Sequence, residues 1–592
     1  MTGNMRREID FLLYDWLGVT DLLQAQAFSE QDREDWDAYL DLSAAISWNE
    51  FQPCYKITDR DEPVLVDGQT CVQPDLKQAM QTYLEAGLHL ATVSPDIGGM
   101  GFPFSIATAA MAEFMAANVS GSGFAMLSIA NARVIADFGN EAQIKAFAQP
   151  QFEGRALGTM CLSEPDVGSS LGDVTTRATF DAEDGIGQRY RIRGHKMWIS
   201  AGDQDVTDNI VHLVLAKAVQ ADGSTVPGPK GTSLFIVPKF LPDALGGRQN
   251  DVAVAGLNHK MGYRGLPNCL LNFGEKEGAI GWRIGAEGDG LKIMFQMMNE
   301  ARTNVGLSGA AMAYRGYMLA REYATERVQG RPAYDKTLAK PVSILRHPDV
   351  RRMLLIQKAI SEGSLALCLK SAMWCDLIET ETDEARRSHV NALLGLLTPV
   401  IKSWPSEQGL WSLHQAIQVH GGYGYTRDFD VEQLYRDSRI NPIHEGTTGI
   451  QAIDLMGRKI LGDGGRSFNA FLGEVRTTIA MAEGFDEEAA SLSDVCMLFE
   501  EMVQEIVGAR EPADALSNAT AFLEGFGHFV LAWIWLDLAI AAAKAGDAQL
   551  AEEKAWACKF FFAAELPKVA GMLAPMRANP SLTRDVPDYV LA

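Results

Sequence analysis

Cysteine is scarce in this chain, eight residues in 592, at Cys54, Cys71, Cys161, Cys269, Cys368, Cys375, Cys496 and Cys558. No CxxC pair and no histidine at zinc-finger spacing accompanies them. This argues against a disulfide scaffold or a structural metal site and reads as reduced core thiols in a reducing compartment. Basic residues are also in deficit, 52 against 76 acidic, for a net charge of −24. Such a surface repels phosphate backbones and anionic lipid, so no nucleic-acid partner is expected without a local basic patch. An anionic substrate would need its own nearby Lys or Arg. There is no Walker sequence. The nearest glycine cluster, His420-Gly421-Gly422-Tyr423-Gly424-Tyr425, follows a helical pattern instead of a strand, so the Rossmann fingerprint is missing too. No internal repeat and no low-complexity tract occurs. The first residues reach Glu8 before any apolar run long enough for a signal peptide, which gives a cytoplasmic expectation. One apolar run, residues 526–543, approaches bilayer length, but it carries His528 and Asp537 and reads as a buried bundle helix, with no integral membrane segment expected.

What is present is ordinary soluble-protein composition, 47% hydrophobic and 22% charged, in a chain long enough for about three or four packed units. From Ile9 to Ala156 apolar residues recur at helical spacing, as in Phe11, Leu12, Tyr14 and Leu17. At Leu157 the texture changes to short alternating or apolar runs separated by Gly, Pro and Asn turns, among them Ile210-Val211-His212-Leu213-Val214-Leu215 and Ser233-Leu234-Phe235-Ile236-Val237. Helical periodicity returns after Gly290, beginning Leu291-Lys292-Ile293-Met294-Phe295. It continues beyond Gly462-Asp463-Gly464-Gly465, with breaks near Asp486, Pro512 and Gly546. The expected fold is mostly α with a central β-domain: a helical domain over 1–156, a β-domain over 157–285, a four-helix-type domain over 286–461 and a helical extension over 462–592.

Three stretches carry candidate chemistry. Residues 434–451 pass through Tyr435-Arg436-Asp437 and Pro442 to Glu445-Gly446-Thr447-Thr448, a helix-start signature that sets one carboxylate at a backbone turn. The plainer reading puts Glu445 in the first turn of a helix, favoured there by the helix dipole. In the β-domain, Cys161-Leu162-Ser163-Glu164-Pro165-Asp166-Val167-Gly168-Ser169-Ser170 ends a strand in a loop rich in hydroxyl and backbone donors, suited to a polar ring edge or a phosphate. Next, Lys196-Met197-Trp198-Ile199-Ser200-Ala201-Gly202 sets an indole and a hydroxyl two residues apart, on one face of a strand.

In their order and context these three stretches resemble the acyl-CoA dehydrogenase family. Its β-domain loop reads Thr-Glu-Pro-x-x-Gly-Ser-Asp, followed by Trp-Ile-Thr and a late Tyr-Arg-Asp…Glu-Gly-Thr segment. The resemblance covers about residues 80–460 and implies FAD as cofactor. It implies that Leu162, Ser163, Ser169, Trp198, Ser200, Arg327, Gln418, Gly421, Gly422 and Thr447 contact it. Residues 418–425 resemble the stretch that reaches a neighbouring subunit's FAD, which implies a homodimer or dimer of dimers. Where the family has Arg-x-x-Phe-Gly this chain has Arg327-Val328-Gln329-Gly330-Arg331, which puts the local packing in doubt. Asp430 stands where a Pro is usual and reads as a harmless loop change.

The implied reaction is α,β-dehydrogenation of an acyl-CoA thioester, with Glu445 as the base at Cα and hydride passing from Cβ to flavin N5. Backbone N–H of the base residue would help polarise the thioester carbonyl, and Ser169, Arg302, Glu445 and Gly446 would contact substrate. A rival base, Glu300, stands immediately before Ala301-Arg302, one position too early. One residue on a helix is a rotation of about 100°, which turns Glu300 elsewhere. The length and the segments 9–17, 209–213 and 347–353 resemble the long bacterial type, whose members act on 3-methylthiopropionyl-CoA or on medium or long straight acyl chains. Electron-transfer flavoprotein is the expected acceptor. An acyl-CoA oxidase and a non-catalytic DNA-associated relative are the alternatives. The ending Tyr589-Val590-Leu591-Ala592 lacks a peroxisomal tripeptide, and the acidic balance does not favour DNA.

Overall fold

The computed structural model describes residues 2–335, 337, 339–509, 512–578 and 581–592, with side chains described except at 2–4, 295–299 and 509. The side chain of Phe295, in the helical segment named above, therefore lies outside the described residues. The chain folds as two compact units. The first is Met1–Trp36, Pro103–Ala112 and Arg302–Ala592, and the second is Asp37–Phe102 and Glu113–Ala301.

The second unit begins its strands where only helical texture was read. β1 (Val64–Val66) and β2 (Gln69–Cys71) form an antiparallel hairpin around Asp67 and Gly68, whose φ values are 51° and 81°. Asp-Gly is the dipeptide that tolerates two successive positive φ angles. Strands of three residues are too short to show a period of two, which is why the pattern missed them.

The main sheet has eight strands: β3 (Ala156–Cys161), β4 (Arg177–Glu183), β5 (Gln188–Ser200), β6 (Asn209–Ala218), β7 (Thr232–Pro238), β8 (Val252–Leu257), β9 (Asn268–Phe273) and β10 (Ala279–Ile284). Their order is β10-β7-β6-β4-β5-β9-β8, with β3 lying parallel against β6. β10 also pairs back onto the first half of β5, so the sheet closes on itself. The long β5 makes this possible, since its second half is left to pair with β9. β6 and β7 are apolar on both faces for a physical reason. Val211, Leu213, Leu234 and Ile236 pack with Ala132 and Ile135 of helix α1 (Phe104–Phe138) and with Phe147. Val214, Ala216, Phe235 and Val237 pack with Ile192, Cys269, Leu271 and Phe273. Each buried side chain of this size is worth about 1.5–3 kcal/mol, which holds the closed sheet in one register.

The first unit is helical. Its largest helices are the later part of α2 (Gly290–Glu326), α3 (Pro348–Thr380) and α4 (Glu384–His420), followed by the shorter α5 (Asp430–Ser438) and α6 (Thr448–Ile453). α2 and α4 meet backbone to backbone. A Cβ at Gly306 would lie 2.0 Å from the Ile401 carbonyl oxygen, and one at Gly309 would lie 2.6 Å from that of Pro405. Pro399 and Pro405 both lie inside α4. Pro405 has no N–H to give Ile401 O, so that carbonyl is free of the helix ladder and Gly306 can sit against it. Lys402 is thereby carried on a stretch of α4 bracketed by two prolines.

The apolar run of residues 526–543 lies within α7 (Ala519–Lys544), buried along most of its length. Helices apolar on every side belong in a protein core or a membrane. α1 and α7 have the length and hydropathy to cross a membrane, and 67% and 83% of their most apolar windows are buried inside the protein. Polar groups on α7 find partners there: Trp533 Nε1 donates to Thr478 Oγ1 at 2.8 Å and Trp535 Nε1 to Ala359 O at 2.9 Å.

A buried ionic cluster ties the extension to the rest of this unit. Lys554, on α8 (Ala548–Phe560), is fully buried and donates to Glu8 Oε2 at 2.7 Å and Glu362 Oε2 at 2.8 Å. Lys358 adds a 2.6 Å bond to Glu362 Oε1. Burial works against the Glu362 charge, yet the two lysines hold its carboxyl down at about 2. Removing one member of such a cluster leaves uncompensated buried charge. Lys554→Met should therefore lower the stability of this unit by about 3–5 kcal/mol, read as an earlier urea transition by tryptophan fluorescence. A transition unchanged within error would show that the cluster does not anchor the extension.

Candidate active site

Three sets of candidate residues are built by different means, one in the second unit and two in the first. In the second unit the loop after β3 is pinned by Glu164. Its carboxylate accepts from the backbone N–H and hydroxyl of Thr175 (2.7 and 2.6 Å), those of Thr176 (3.0 and 2.6 Å), and Lys196 Nζ (2.9 Å). Burial opposes its charge, but Lys196 and the threonines outweigh that and hold its carboxyl at about 2. Lys196, fully buried, also donates to Leu162 O at 2.9 Å. Ser163 and Met197 then pair reciprocally: Ser163 Oγ donates to Met197 O at 2.7 Å, and Met197 N to Ser163 O at 3.1 Å. Leu162 and Ser163 are thus held beside the end of β5.

The strand is not regular there. Lys196 faces Leu271 and Ile199 faces Cys269 across the β5–β9 ladder, so β5 carries one residue more than its partner. Such a bulge re-aims a side chain. Trp198 sits at φ +67° and Ala201 at φ +52°, conformations uncommon for residues other than glycine. The Trp198 indole is 56% exposed while Ile199 is buried. Ser200 Oγ accepts from Asn268 Nδ2 at 3.4 Å. The structure brings Leu162, Ser163, Trp198 and Ser200 together, with Ser169 exposed farther along the same loop.

In the first unit, α6 begins at Thr448 and Thr447 is its cap, its Oγ1 accepting from Ile450 N at 3.3 Å. Glu445 lies before that cap, not in the first helical turn, and its φ is +52°, followed by +90° at Gly446. The helix-dipole reading is therefore corrected: a left-handed turn positions this carboxylate. Both of its carbonyls are captured. Gln451 Nε2 donates to Glu445 O at 3.1 Å and Lys402 Nζ to Gly446 O at 2.7 Å. A Cβ at Gly446 would lie 2.6 Å from Gln451 Nε2, so only glycine fits. The half-buried Glu445 carboxylate and its backbone N–H make no hydrogen bond among the described residues. Burial raises the carboxyl's pKa, and Lys402 and Arg302 restrain the rise.

The cations around it differ. Arg302 is buried and donates Nη1 to Asp454 Oδ2 at 3.0 Å, with Nε unpartnered among the described residues. Lys402 is fully buried; burial pulls its pKa to about 8 against Glu445 and Glu407. His444, beside the base, is kept neutral by burial and Lys402, its pKa near 3. Glu300 is engaged elsewhere, accepting from Arg133 Nη1 at 3.1 Å. Asn299, which precedes it, has its side chain outside the described residues.

Arg327, Gln418, Gly421 and Gly422 form a third, exposed group. α4 ends at His420 and the chain turns at Gly421, φ +62°. No atom lies within 4 Å of a Cβ built at Gly421 or Gly422, so the backbone is open to close approach. Arg327 lies over Tyr423, 5.7 Å from the ring centroid. Gly330, in the family's aromatic position, has φ +68° and takes Val342 N on its carbonyl at 3.0 Å. Asp430 is not a loop residue: it opens α5 and accepts from buried Arg315 Nη2 at 2.5 Å.

Sequence reasoning missed Lys402, Gln451 and Asp454. The signal for Lys402 was a lone cation within Leu396-Leu397-Thr398-Pro399-Val400-Ile401-Lys402-Ser403-Trp404, a stretch otherwise free of charge.

A closed β-domain within a helical chain, with a re-aimed indole on one unit and a turn-borne carboxylate on the other, defines a helical–β–helical enzyme class. Family models identify it: acyl-CoA dehydrogenase N-terminal domain over residues 66–155, middle domain over 159–275 and C-terminal domain over 288–461, with an acetyl-CoA dehydrogenase C-terminal-like segment over 471–587. The chain belongs to the acyl-CoA dehydrogenase family. It is 34% identical over 544 residues to 3-methylmercaptopropionyl-CoA dehydrogenase of Ruegeria pomeroyi, covering 89% of this chain and 90% of that one. It is 32% identical over 606 residues to a butyryl-CoA dehydrogenase of Syntrophomonas wolfei, covering 98% of each. Among solved structures, an acyl-CoA dehydrogenase from Bacillus anthracis complexed with FAD shares the fold, with a TM-score of 0.75 at 19% identity, covering 94% of this chain and 90% of that one.

The Glu164 tie makes a pH-dependent prediction. Its carboxyl is depressed from 4.5 to about 2, so its stabilisation is complete above pH 4.5 and lost as pH falls toward 2. Glu164→Gln should cost about 3–5 kcal/mol at neutral pH by stranding Lys196. The gap from the wild type should close across that acid window, read by denaturant titration at several pH values. A gap independent of pH would contradict the assignment.

Proposed function

We propose that this chain is an FAD-dependent acyl-CoA dehydrogenase in which Glu445 removes the α-proton of the thioester. One observation carries the reading. A half-buried carboxylate and its own backbone N–H are both without hydrogen-bond partners among the described residues, on a turn locked by Gln451 and Lys402. A base must be free to accept a proton, and a fixed N–H can polarise a carbonyl without reorganising. Glu445 offers both from one residue. Burial raises its pKa toward the working range while the nearby cations keep the ionised form accessible.

The residues fit a flavin dinucleotide. The exposed Trp198 indole offers a stacking face, Ser163 and Ser200 hydroxyls a polar edge, and the open backbone at Gly421 and Gly422 with Arg327 a place for phosphate-bearing groups. Leu162 and Ser169 in the second unit, and Gln418 and Thr447 in the first, are the further candidates for holding it. When bound, the flavin supplies the acceptor for the hydride leaving Cβ. The chain's own part is to take the Cα proton onto Glu445, hold the thioester oxygen at the Glu445 N–H and keep Arg302 fixed on Asp454 beneath the turn. Arg302 and Gly446 in the first unit, and Ser169 in the second, are the candidates for contacting the thioester.

The acyl group we propose is 3-methylthiopropionyl, supported by the 34% identical relative named for that substrate. A straight-chain acyl group is the second reading, supported by the 32% identical butyryl-CoA relative. The same reading includes a homodimer or dimer of dimers, electron-transfer flavoprotein as acceptor and a cytoplasmic location.

Glu445→Gln keeps the side chain's size and removes the proton acceptor. It should retain flavin absorbance and lose about 10²–10⁴-fold or more in the rate of thioester-driven flavin reduction, whereas Glu300→Gln should retain most of it. A Glu445→Gln enzyme reducing flavin at a rate near the wild type's would overturn the assignment.

A further inference from the structure

We infer that Lys402 is a positioning residue for the Glu445 turn: its ammonium fixes the Gly446 carbonyl and supplies an unpaired positive charge that keeps the neighbouring carboxylate ionised. The inference rests on Glu445 being the base and assigns to α4 a part that the base alone does not require.

The geometry is unusual for a buried lysine. Lys402 is fully buried, and among the described residues its ammonium has one hydrogen bond, to a neutral carbonyl, Gly446 O, at 2.7 Å. No carboxylate lies within ion-pair distance among the described residues, unlike Arg302 on Asp454 at 3.0 Å. A buried ammonium ordinarily sits on a carboxylate. Here the nearest acidic groups, Glu445 on the turn and Glu407 on α4, act on it through space. The other groups facing it are Arg302 on α2, whose charge is taken up by Asp454, and His444, which is held neutral. The net effect is a cation close enough to favour the Glu445 carboxylate and too far to bond it, which leaves the oxygen lone pairs free for a proton. The same Nζ grips the carbonyl one residue on. With Glu445 O held by Gln451 and Gly446 O by Lys402, the two peptide planes that follow Glu445 are fixed, and with them its left-handed turn. Pro399 and Pro405 bracket this part of α4, where Gly306 and Gly309 of α2 pack on its backbone, so the lysine is mounted on closely packed backbone.

The signs follow. Removing the cation disfavours ionised Glu445, so the pH midpoint of proton abstraction rises. Because ionisation of Glu445 only increases with pH, the cation's effect is read on the rising limb of the profile.

Two variants separate the two roles. Lys402→Met removes charge and donor; Lys402→Gln removes charge and keeps an amide donor for Gly446 O. The measurement uses flavin-loaded protein, anaerobic, in D2O, with butyryl-CoA and 3-methylthiopropionyl-CoA, reading deuterium entry at Cα by mass spectrometry from pH 5.5 to 9.5 alongside the Michaelis constant. For both variants the rising limb should move to higher pH, with a rate loss of roughly tenfold at neutral pH. Lys402→Met should also raise the Michaelis constant, and Lys402→Gln should restore it toward the wild-type value. A rising limb at the wild-type pH in a folded, flavin-loaded variant overturns the inference. Glu445→Gln measured in parallel separates the premise: if it still exchanges Cα deuterium, the base assignment fails; if it does not and the lysine variants match the wild type, this inference alone fails.

Discussion

The hydrogen bond from Lys402 Nζ to Gly446 O is the contact on which the candidate site depends, because it holds a conformation the chain would not otherwise keep. Glu445 at φ +52° is a strained choice for a residue with a Cβ, and strain of this kind costs about 1–3 kcal/mol. It persists because the surroundings over-determine it: Gln451 holds one carbonyl, Lys402 the next, Thr448 N bonds Pro442 O at 3.0 Å, and Thr447 starts a helix directly after. The result is a carboxylate and an N–H presented together with their bonding capacity unspent.

Three fully buried lysines show how differently the same group can be used. Lys196 and Lys554 sit on carboxylates, Glu164 in one case and Glu8 with Glu362 in the other, and each ties together segments distant in sequence. Among the described residues the Lys402 ammonium has only a carbonyl. The first two lysines have their charge met by carboxylates; the third leaves electrostatic demand facing Glu445. The second unit carries a comparable strain at Trp198, whose left-handed backbone in a bulge is stabilised by the Glu164–Lys196 tie immediately before it. In both units a buried ion or ion pair fixes a short irregular segment, and the irregular segment presents the candidate functional group.

How much of this the sequence discloses depends on how local each feature is. The alternation of helical and strand textures is written in successive residues, so the mostly helical fold with a central β-domain could be read, and the three motif stretches could be quoted directly. The Asp67-Gly68 hairpin was equally local, but its strands were too short to register as a pattern. The left-handed turn at Glu445 showed only as a break before a helix, since a carboxylate followed by glycine and threonines serves a helix start as well. Lys402 lies 44 residues from Gly446 on another helix, and Gln451 reads as an ordinary helical residue. The bulge at Trp198 depends on the pairing of β5 with β9, which no single strand can reveal.

The central claim is that this chain removes a proton and a hydride from an acyl-CoA thioester. The most direct test is an anaerobic titration of the purified, flavin-loaded protein with 3-methylthiopropionyl-CoA, butyryl-CoA and a longer straight-chain thioester, following flavin absorbance. The account predicts rapid bleaching with at least one of them, most efficient with the 3-methylthio substrate. Flavin that stays oxidised with every thioester would contradict it.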